Sequence, residues 1–144
     1  MKTVKVGLVD DHKLIIDAMT LMVNSFKGYR VVLQAFSGLD LIEKLKKTAD
    51  EPDIILLDVN MPVMNGFETA AWLTANKPLI NLVALSMNDD DLSLIKMMRS
   101  GCKGYLLKDT GNADLNKALD EVMSKGFHYN EFITGKLIHT LNKN

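Results

Sequence analysis

Cysteine is nearly absent from this 144-residue sequence, in which Cys102 stands alone. A lone cysteine excludes an intramolecular disulfide and fits a reducing compartment. No apolar run approaches the roughly 20 residues of a membrane-spanning helix, and lysines interrupt the short apolar N-terminus, which excludes a signal peptide. The net charge of −1 leaves no basic excess that would hold nucleic acid. We therefore expect a soluble, cytoplasmic protein that binds neither a membrane nor, by itself, DNA.

The composition nevertheless provides enough apolar residues for one globular core. Hydrophobic residues make up 47% of the chain and charged residues 24%, which is the balance of an ordinary folded domain rather than of a disordered chain. The length of 144 residues also suits a single domain.

Apolar segments of strand length alternate with segments of helical periodicity, so that a helix follows each predicted strand. The predicted strands are residues 4–9, 30–36, 54–58, 79–86 and 104–108. The third begins with four successive aliphatic residues, which indicates burial on both faces of a parallel sheet covered by helices. Because repeated strand–helix units form right-handed crossovers, we expect a doubly wound, three-layer α/β fold with a five-stranded parallel sheet.

The helix boundaries are less clearly marked than the strands. Ser37 is the expected N-cap of the second helix, the third helix is predicted over residues 67–75, and the fifth over 112–125. The tail 126–144 predicts either a short amphipathic helix or the start of a linker. We expect the folded domain to occupy residues 1–125.

Polar side chains stand at the carboxyl ends of four predicted strands. Asp10 and Asp11 follow the first strand, Asp58 ends the third, Ser86 the fourth and Lys108 the fifth. Ligands of open α/β sheets bind at this edge, at the point where the strand order reverses. Three converging carboxylates repel one another, which a hard divalent cation such as Mg²⁺ or Mn²⁺ relieves. With an ammonium and a hydroxyl nearby, the set suits metal-dependent phosphoryl transfer onto an aspartate, without saying which one.

Four segments at these strand ends closely resemble the receiver domain of bacterial two-component response regulators, over residues 3–125. They are VDDH at 9–12, LLDVNMPVMNG at 56–66, ALS at 84–86 and GCKGYLLK at 101–108. Their order, spacing and placement on strand ends make the combination specific. The resemblance implies the flavodoxin-like (βα)5 fold. The residues within these segments are most similar to those of the subfamily whose receivers precede a LuxR-type helix-turn-helix domain.

The resemblance also implies a set of residue roles around a metal ion. Asp58 would be the phosphoacceptor. Asp11 would ligate Mg²⁺ directly, Asp10 would act partly through water, Asp58 would share the ion, and the backbone carbonyl of Asn60 would supply another ligand. We interpret His12 as a loop residue and not a ligand, because one imidazole among hard carboxylates does not make a zinc site.

The remaining implied roles concern the phosphoryl group and its consequences. Lys108 would pair with the phosphoryl oxygens, and Ser86 would turn inward to hydrogen-bond them. Tyr105 would then change its rotamer and reshape the surface around the fourth helix and fifth strand; the simpler reading of Tyr105 is an aromatic residue that only packs. Asn60 and Asn88 would tune the lifetime of the phosphoryl group; the simpler reading is that they are polar loop residues.

The expected function is that of a switch controlled by phosphorylation. A histidine kinase or phosphotransfer protein would be the donor, and the domain would catalyse its own phosphorylation and slow dephosphorylation without being an enzyme for a separate substrate. The output would be transcription, through a DNA-binding domain outside this chain, with a homodimer forming on phosphorylation. We expect the chain to be a fragment of such a regulator rather than a stand-alone receiver.

Three other classes share part of the pattern. A haloacid dehalogenase-type phosphatase would need an aspartate two positions after the acceptor, where Asn60 stands and cannot serve as general acid or base. A receiver-like module that is never phosphorylated would lack one of the acidic pair, the acceptor or the lysine, all of which are present. An FMN-binding flavodoxin would carry a Ser/Thr/Gly-rich phosphate loop after the first strand, where this chain is acidic.

Overall fold

The computed structural model describes residues 2–87 and 91–128, together with residues 134, 135, 138, 139 and 142. Strands and helices alternate along the chain. In order they are β1 Val4–Val9, α1 Lys13–Asn24, β2 Tyr29–Ala35, α2 Gly38–Lys47, β3 Ile54–Asp58, α3 Gly66–Asn76, β4 Asn81–Ser86, α4 Asp91–Arg99, β5 Gly104–Leu107 and α5 Asn112–Lys125.

The five strands form one parallel sheet with the order β2-β1-β3-β4-β5. The chain moves outward from β1 to β2 and then returns to the other side of β1 with β3. The order therefore reverses between β1 and β3, and the carboxyl ends of these two neighbours define the switch point. The predicted flavodoxin-like, doubly wound fold is confirmed.

Helices cover both faces of the sheet and enclose two hydrophobic clusters. In β3 the side chains alternate between them: Ile55 and Leu57 belong to the first cluster, and Ile54 and Leu56 to the second. The first cluster takes its helical residues from α2, α3 and α4, and the second from α1 and α5. Each fully buried leucine or isoleucine contributes roughly 1.5–3 kcal/mol to the stability of the fold. Because all five residues of β3 are buried, this packing also fixes the position of Asp58 at the end of the strand.

Several predicted strand ends were wrong by one or two residues. β4 begins at Asn81, not at 79, because Leu79 lies in a turn and is 93% exposed. The prediction followed apolar character, which a turn residue can also have. Phe36 lies beyond the end of β2, and Lys108 lies beyond the end of β5, where the N–H of Thr110 turns back to the carbonyl of Leu107.

Side-chain caps fix the starts of two helices on the first face. The hydroxyl of Ser37 accepts from the N–H of Asp40 at 3.0 Å, which confirms the predicted N-cap of α2. Asn65 and Glu68 form a reciprocal capping box at the start of α3. This box, which the sequence analysis did not use, extends α3 to Gly66–Asn76.

After α5 the chain turns at Gly126, which has a φ of 88°, a left-handed conformation that suits glycine. The N–H of His128 then donates to the carbonyl of Lys103 at 2.8 Å, and His128 pairs with Gly104 beside β5. The prediction of a tail helix was based on apolar residues such as Phe132 and Leu137, which lie outside the described residues. That helix and the domain boundary at residue 125 therefore stay predictions. Within the described part of the chain, no helix has the length and apolar character to cross a membrane.

Gly66 is required by the close return of the loop after β3. A Cβ atom at Gly66 would lie 2.6 Å from the carbonyl oxygen of Asp58 and 2.6 Å from the Cα of Val59, both backbone atoms. We expect Gly66→Ala to lower the free energy of unfolding by about 1–3 kcal/mol through overpacking. Urea titrations in EDTA test this, with Gly104→Ala as the control because a Cβ at this buried glycine would meet its nearest neighbours at 3.6 Å, an ordinary van der Waals contact. Equal losses in the two variants would contradict the steric explanation.

Candidate functional site

The switch point brings two aspartates together in the interior. Asp58 is the last residue of β3, and Asp10 follows β1, whose Val9 is paired with Leu57. Asp58 is fully buried and Asp10 is 3% exposed. Two carboxylates in this position need a compensating cation or proton, because a buried charge without a partner is costly.

Lys108 supplies one cation from the end of β5. Its Nζ lies 2.7 Å from Oδ2 of Asp10 and 3.2 Å from Oδ1 of Asp58, and its side chain is only 8% exposed. The backbone N–H of Lys108 donates to the carbonyl of Ser86 at 2.8 Å, which ties the root of the lysine to the end of β4. The lysine therefore pairs with both buried carboxylates.

The two residues assigned to switching are both fully buried. Ser86 ends β4, next to the β3 strand that carries Asp58. Tyr105 pairs in register with Ala84 and belongs to the first hydrophobic cluster. The predicted turn of Ser86 toward a phosphoryl group stays a prediction, and the buried position of Tyr105 fits both readings given above, a packed aromatic and the internal state of a switch.

The loop after β3 folds back over the site. The N–H of Asn60 donates to Oδ1 of Asp58 at 3.1 Å, and the N–H of Gly66 donates to the carbonyl of Val59 at 3.0 Å. These bonds hold the Asn60 backbone beside the carboxylate. Asn88, the other residue expected to tune the phosphoryl lifetime, lies outside the described residues.

His12 is closer to the acidic pair than the sequence analysis anticipated. Its backbone N–H donates to Oδ1 of Asp10 at 2.9 Å. Its imidazole Nδ1 lies 3.1 Å from that same oxygen and 3.3 Å from Oδ1 of Asp11, while the ring is 63% exposed. The position of His12 directly after two aspartates was the available signal, but only the turn from β1 into α1 decides where the ring points.

The electrostatics of Asp58 reflect its burial. Burial raises the pKa of Asp58 to about 6, and the negative charge of Asp10 adds to this, while Lys108 and the Asn60 N–H offset part of the rise. For Lys108, burial acts to lower the pKa, but the carboxylates Asp10 and Asp58 outweigh it and the pKa is raised. The lysine thus stays charged at neutral pH, and Asp58 without a bound cation holds a proton more tightly than an ordinary aspartate.

The donor atoms fit a hard divalent cation. Three buried carboxylate oxygens make no directed hydrogen bond to any described residue: Asp10 Oδ2, Asp11 Oδ1 and Asp58 Oδ2. Of these, Oδ2 of Asp10 is in the ion pair with Lys108, and Oδ1 of Asp11 is the oxygen near the ring of His12. One donor atom from each of Asp10, Asp11, His12 and Asp58 lies within 4.8 Å of the others. Carboxylate oxygens are the ligands that Mg²⁺ prefers.

The doubly wound α/β fold, together with the acidic site at its switch point, defines the class of signal-receiver domains. The sequence matches the response regulator receiver domain over residues 6–120, and the chain belongs to this family. Receiver domains of this family are phosphoacceptors of two-component systems and generally bind Mg²⁺ in an acidic pocket. The predicted family is confirmed.

Individual relatives agree with this assignment. The chain is 33% identical to Response regulator GacA of Pseudomonas syringae pv. syringae (strain B728a) over 116 residues, or 81% of this chain and 53% of GacA. It is 34% identical to the Nitrate/nitrite response regulator protein NarL of Escherichia coli (strain K12) over 137 residues, or 95% of this chain and 62% of NarL. The chain thus spans about half the length of the curated relatives it matches.

A solved structure supports the fold. A two-component response regulator of the LuxR family from Aurantimonas sp. SI85-9A1 superimposes with a TM-score of 0.86 at 21% identity, covering 97% of this chain and 99% of that one. At this identity the likeness concerns the fold alone.

The raised pKa of Asp58 makes the contribution of this one carboxyl group to folding more favourable in mild acid than at neutral pH. The folded state binds this proton more tightly than the unfolded chain does, so the stabilisation is present below about pH 4 and is lost as the pH rises through about 6. We therefore expect Asp58→Asn to raise the free energy of unfolding in EDTA at pH 7.5 by roughly 1–3 kcal/mol, and to have little effect at pH 4.

Urea titrations at the two pH values measure this difference. Asp17→Asn is the matched control, because the Asp17 side chain is 53% exposed and its partner among the described residues is Lys13 on the surface of α1, where such pairs contribute little. A gain at Asp58→Asn that is the same at both pH values would show that the effect does not come from the ionised carboxylate.

Proposed function

We propose that this chain is a phosphorylation-controlled receiver in which Asp58 accepts a phosphoryl group from a histidine kinase or phosphotransfer protein. The observation that carries the proposal is the environment of the Asp58 carboxylate. Its Oδ1 is held by Lys108 and the Asn60 N–H, while its buried Oδ2 has no hydrogen bond from any described residue. One oxygen is thus fixed, and the other is available as a nucleophile.

The ion in this proposal is Mg²⁺, held by Asp11, by Asp10 partly through water, by Asp58 and by the backbone carbonyl of Asn60. The support is that buried carboxylate oxygens of Asp11 and Asp58 accept no hydrogen bond from the described residues, together with the chemistry of the donor set. When bound, the ion neutralises charge on the equatorial phosphoryl oxygens.

The transfer itself uses residues at three strand ends. Oδ2 of Asp58 attacks the phosphorus of a phosphohistidine in line with the bond that breaks. A P–O bond forms, the P–N bond breaks, and its electron pair stays on the donor nitrogen, whose ring leaves as neutral imidazole because its other nitrogen carries a proton. Lys108, already charged beside Asp58, turns to the phosphoryl oxygens and offsets the charge that Asp58 gains.

The consequence of phosphorylation is a rearrangement in the first hydrophobic cluster. In the proposal the Ser86 hydroxyl hydrogen-bonds the phosphoryl group, and Tyr105 moves into the space that this change leaves. The support is that both residues are fully buried, Ser86 at the end of β4 and Tyr105 directly across from β4 on β5. Because Tyr105 packs in the same cluster as Leu94 and Met97 of α4, its movement would alter the α4–β5 surface.

The same domain would also end its own signal. We assign to it slow loss of the phosphoryl group by attack of water, with Asn60 beside the acceptor tuning the rate. It therefore acts as its own substrate rather than as an enzyme with turnover.

The output of the proposed switch is transcription in the cytoplasm, through a DNA-binding domain outside this chain. The support is that the matched relatives are response regulators of about twice the matched length, and that a protein of the same fold belongs to the LuxR family. Phosphorylation would act on the assembly of the regulator by favouring a homodimer.

Intact mass after incubation with acetyl phosphate tests the acceptor. We expect one phosphoryl adduct on the wild type and on the control Asp17→Asn, and none on Asp58→Asn, because the Asp58 carboxylate has one oxygen beside Lys108 and a second oxygen with no hydrogen bond from the described residues. EDTA should abolish the adduct, since three acidic side chains would otherwise face the incoming phosphate. An adduct that persists on Asp58→Asn would place the acceptor elsewhere, and a wild type that takes up neither phosphoryl nor beryllofluoride would favour a silent receiver-like module.

Sedimentation velocity with beryllofluoride and Mg²⁺ tests the switch. We expect the wild type to shift toward a dimer, and Ser86→Ala to bind beryllofluoride but to have a dimerisation constant about five- to tenfold smaller, because the lost hydroxyl contact is worth about 1–1.5 kcal/mol. An unchanged monomer in the wild type would remove the dimer from the proposal. An equal shift in both proteins would remove Ser86 as the coupling residue.

A further inference from the structure

The imidazole of His12 lies in the acidic site, yet the proposed phosphoryl transfer gives it no role. His12 is the N-cap residue of α1, but its side chain makes no capping hydrogen bond. Its ring is 63% exposed, so the hydrophobic core does not explain its position either. The ring instead points toward the two carboxylates that precede it in the sequence.

The spacing of the donor atoms around His12 is that of neighbouring ligands on one ion. Nδ1 lies 3.1 Å from Oδ1 of Asp10 and 3.3 Å from Oδ1 of Asp11. In an octahedron with bonds of about 2.1 Å, adjacent ligands are roughly 3.0 Å apart. The carboxylate of Asp58 completes the group, since one donor atom of each of the four residues lies within 4.8 Å of the others.

A hydrogen bond alone accounts for only part of this arrangement. One N–H on Nδ1 can point at one of the two aspartate oxygens, whereas Nδ1 is within reach of both. Oδ1 of Asp10 already accepts the backbone N–H of His12. The fully buried Asp58 has an oxygen with no hydrogen bond from the described residues, and a neighbouring ion would satisfy this oxygen until it attacks a phosphoryl group.

We propose that Nδ1 of His12 is a ligand in this site when the ion is a first-row transition ion such as Mn²⁺, so that the site binds such ions more tightly than Mg²⁺. First-row transition ions accept imidazole nitrogen as a ligand, Mn²⁺ less strongly than the later members of the series, whereas Mg²⁺ takes oxygen ligands and keeps its water. This inference rests on the proposed function, because it assigns a further ligand to the same metal site. It is an alternative to the interpretation given in the sequence analysis, in which His12 is a loop residue and not a ligand.

Pulsed electron paramagnetic resonance of the full chain loaded with Mn²⁺ tests the ligand directly. An imidazole nitrogen bound to Mn²⁺ produces ¹⁴N modulation of the electron spin echo, which does not depend on any activity. We expect this modulation in the wild type and its loss in His12→Gln. The doubly substituted His128→Gln/His139→Gln, which keeps His12 as its only histidine, should retain it.

Calorimetric titrations with Mn²⁺ and Mg²⁺ provide the second measurement. We expect His12→Gln to weaken Mn²⁺ binding about tenfold or more and Mg²⁺ binding less than about twofold, because only the transition ion uses the nitrogen. Mn²⁺ binding without ¹⁴N modulation, or equal weakening for both ions, would overturn the role of His12 and leave the acidic site intact. A wild type that binds neither ion would overturn the metal site of the proposed function together with this inference.

Discussion

The shared ion pair of Lys108 with Asp10 and Asp58 is the interaction on which the site depends. On folding, two carboxylates and one ammonium group are removed from water at the end of the sheet, and each of these charges would be costly to bury alone. The lysine comes from β5, which is separated from β3 by β4. Because neighbouring strands are about 4.8 Å apart, a side chain must be long to cross this gap from the end of β5. The hydrogen bond from the Lys108 N–H to the carbonyl of Ser86 fixes the backbone position from which the lysine side chain extends.

This geometry links the charge of the site to the packing of the domain. Asp58 ends a strand whose aliphatic residues enter both hydrophobic clusters, and Lys108 follows a strand that places Tyr105 in one of them. A group that draws Lys108 away from Asp10 or Asp58 therefore acts on residues anchored in the core. Because packed cores change between discrete arrangements rather than deform continuously, this position is suited to converting a local charge change into a change of surface.

Two nitrogen-bearing side chains near the acidic pair, Lys108 and His12, are held in different ways. Lys108 is nearly buried, and its pKa is raised by the carboxylates that surround it. His12 stands at the open side of the site, on a ring that is mostly exposed. Lys108 thus pairs with the carboxylates on the interior side of the site, whereas the ring of His12 lies on the side that is open to solvent.

The sequence alone determined the fold class, the strand that carries the acceptor candidate, and the strand ends at which acidic and basic residues meet. It could do so because a buried parallel strand requires continuous aliphatic residues and because parallel strands end at one edge of the sheet. The tertiary structure decided what depends on distance and direction. Leu79 is apolar but lies in an exposed turn. Asn65 and Glu68 form a capping box only because the backbone places them at the start of a helix. Lys108 forms an ion pair with Asp58 across β4, which the sequence spacing does not specify. The ring of His12 was the clearest case, since side-chain direction after a strand depends on the turn that follows, which residue type and spacing do not specify.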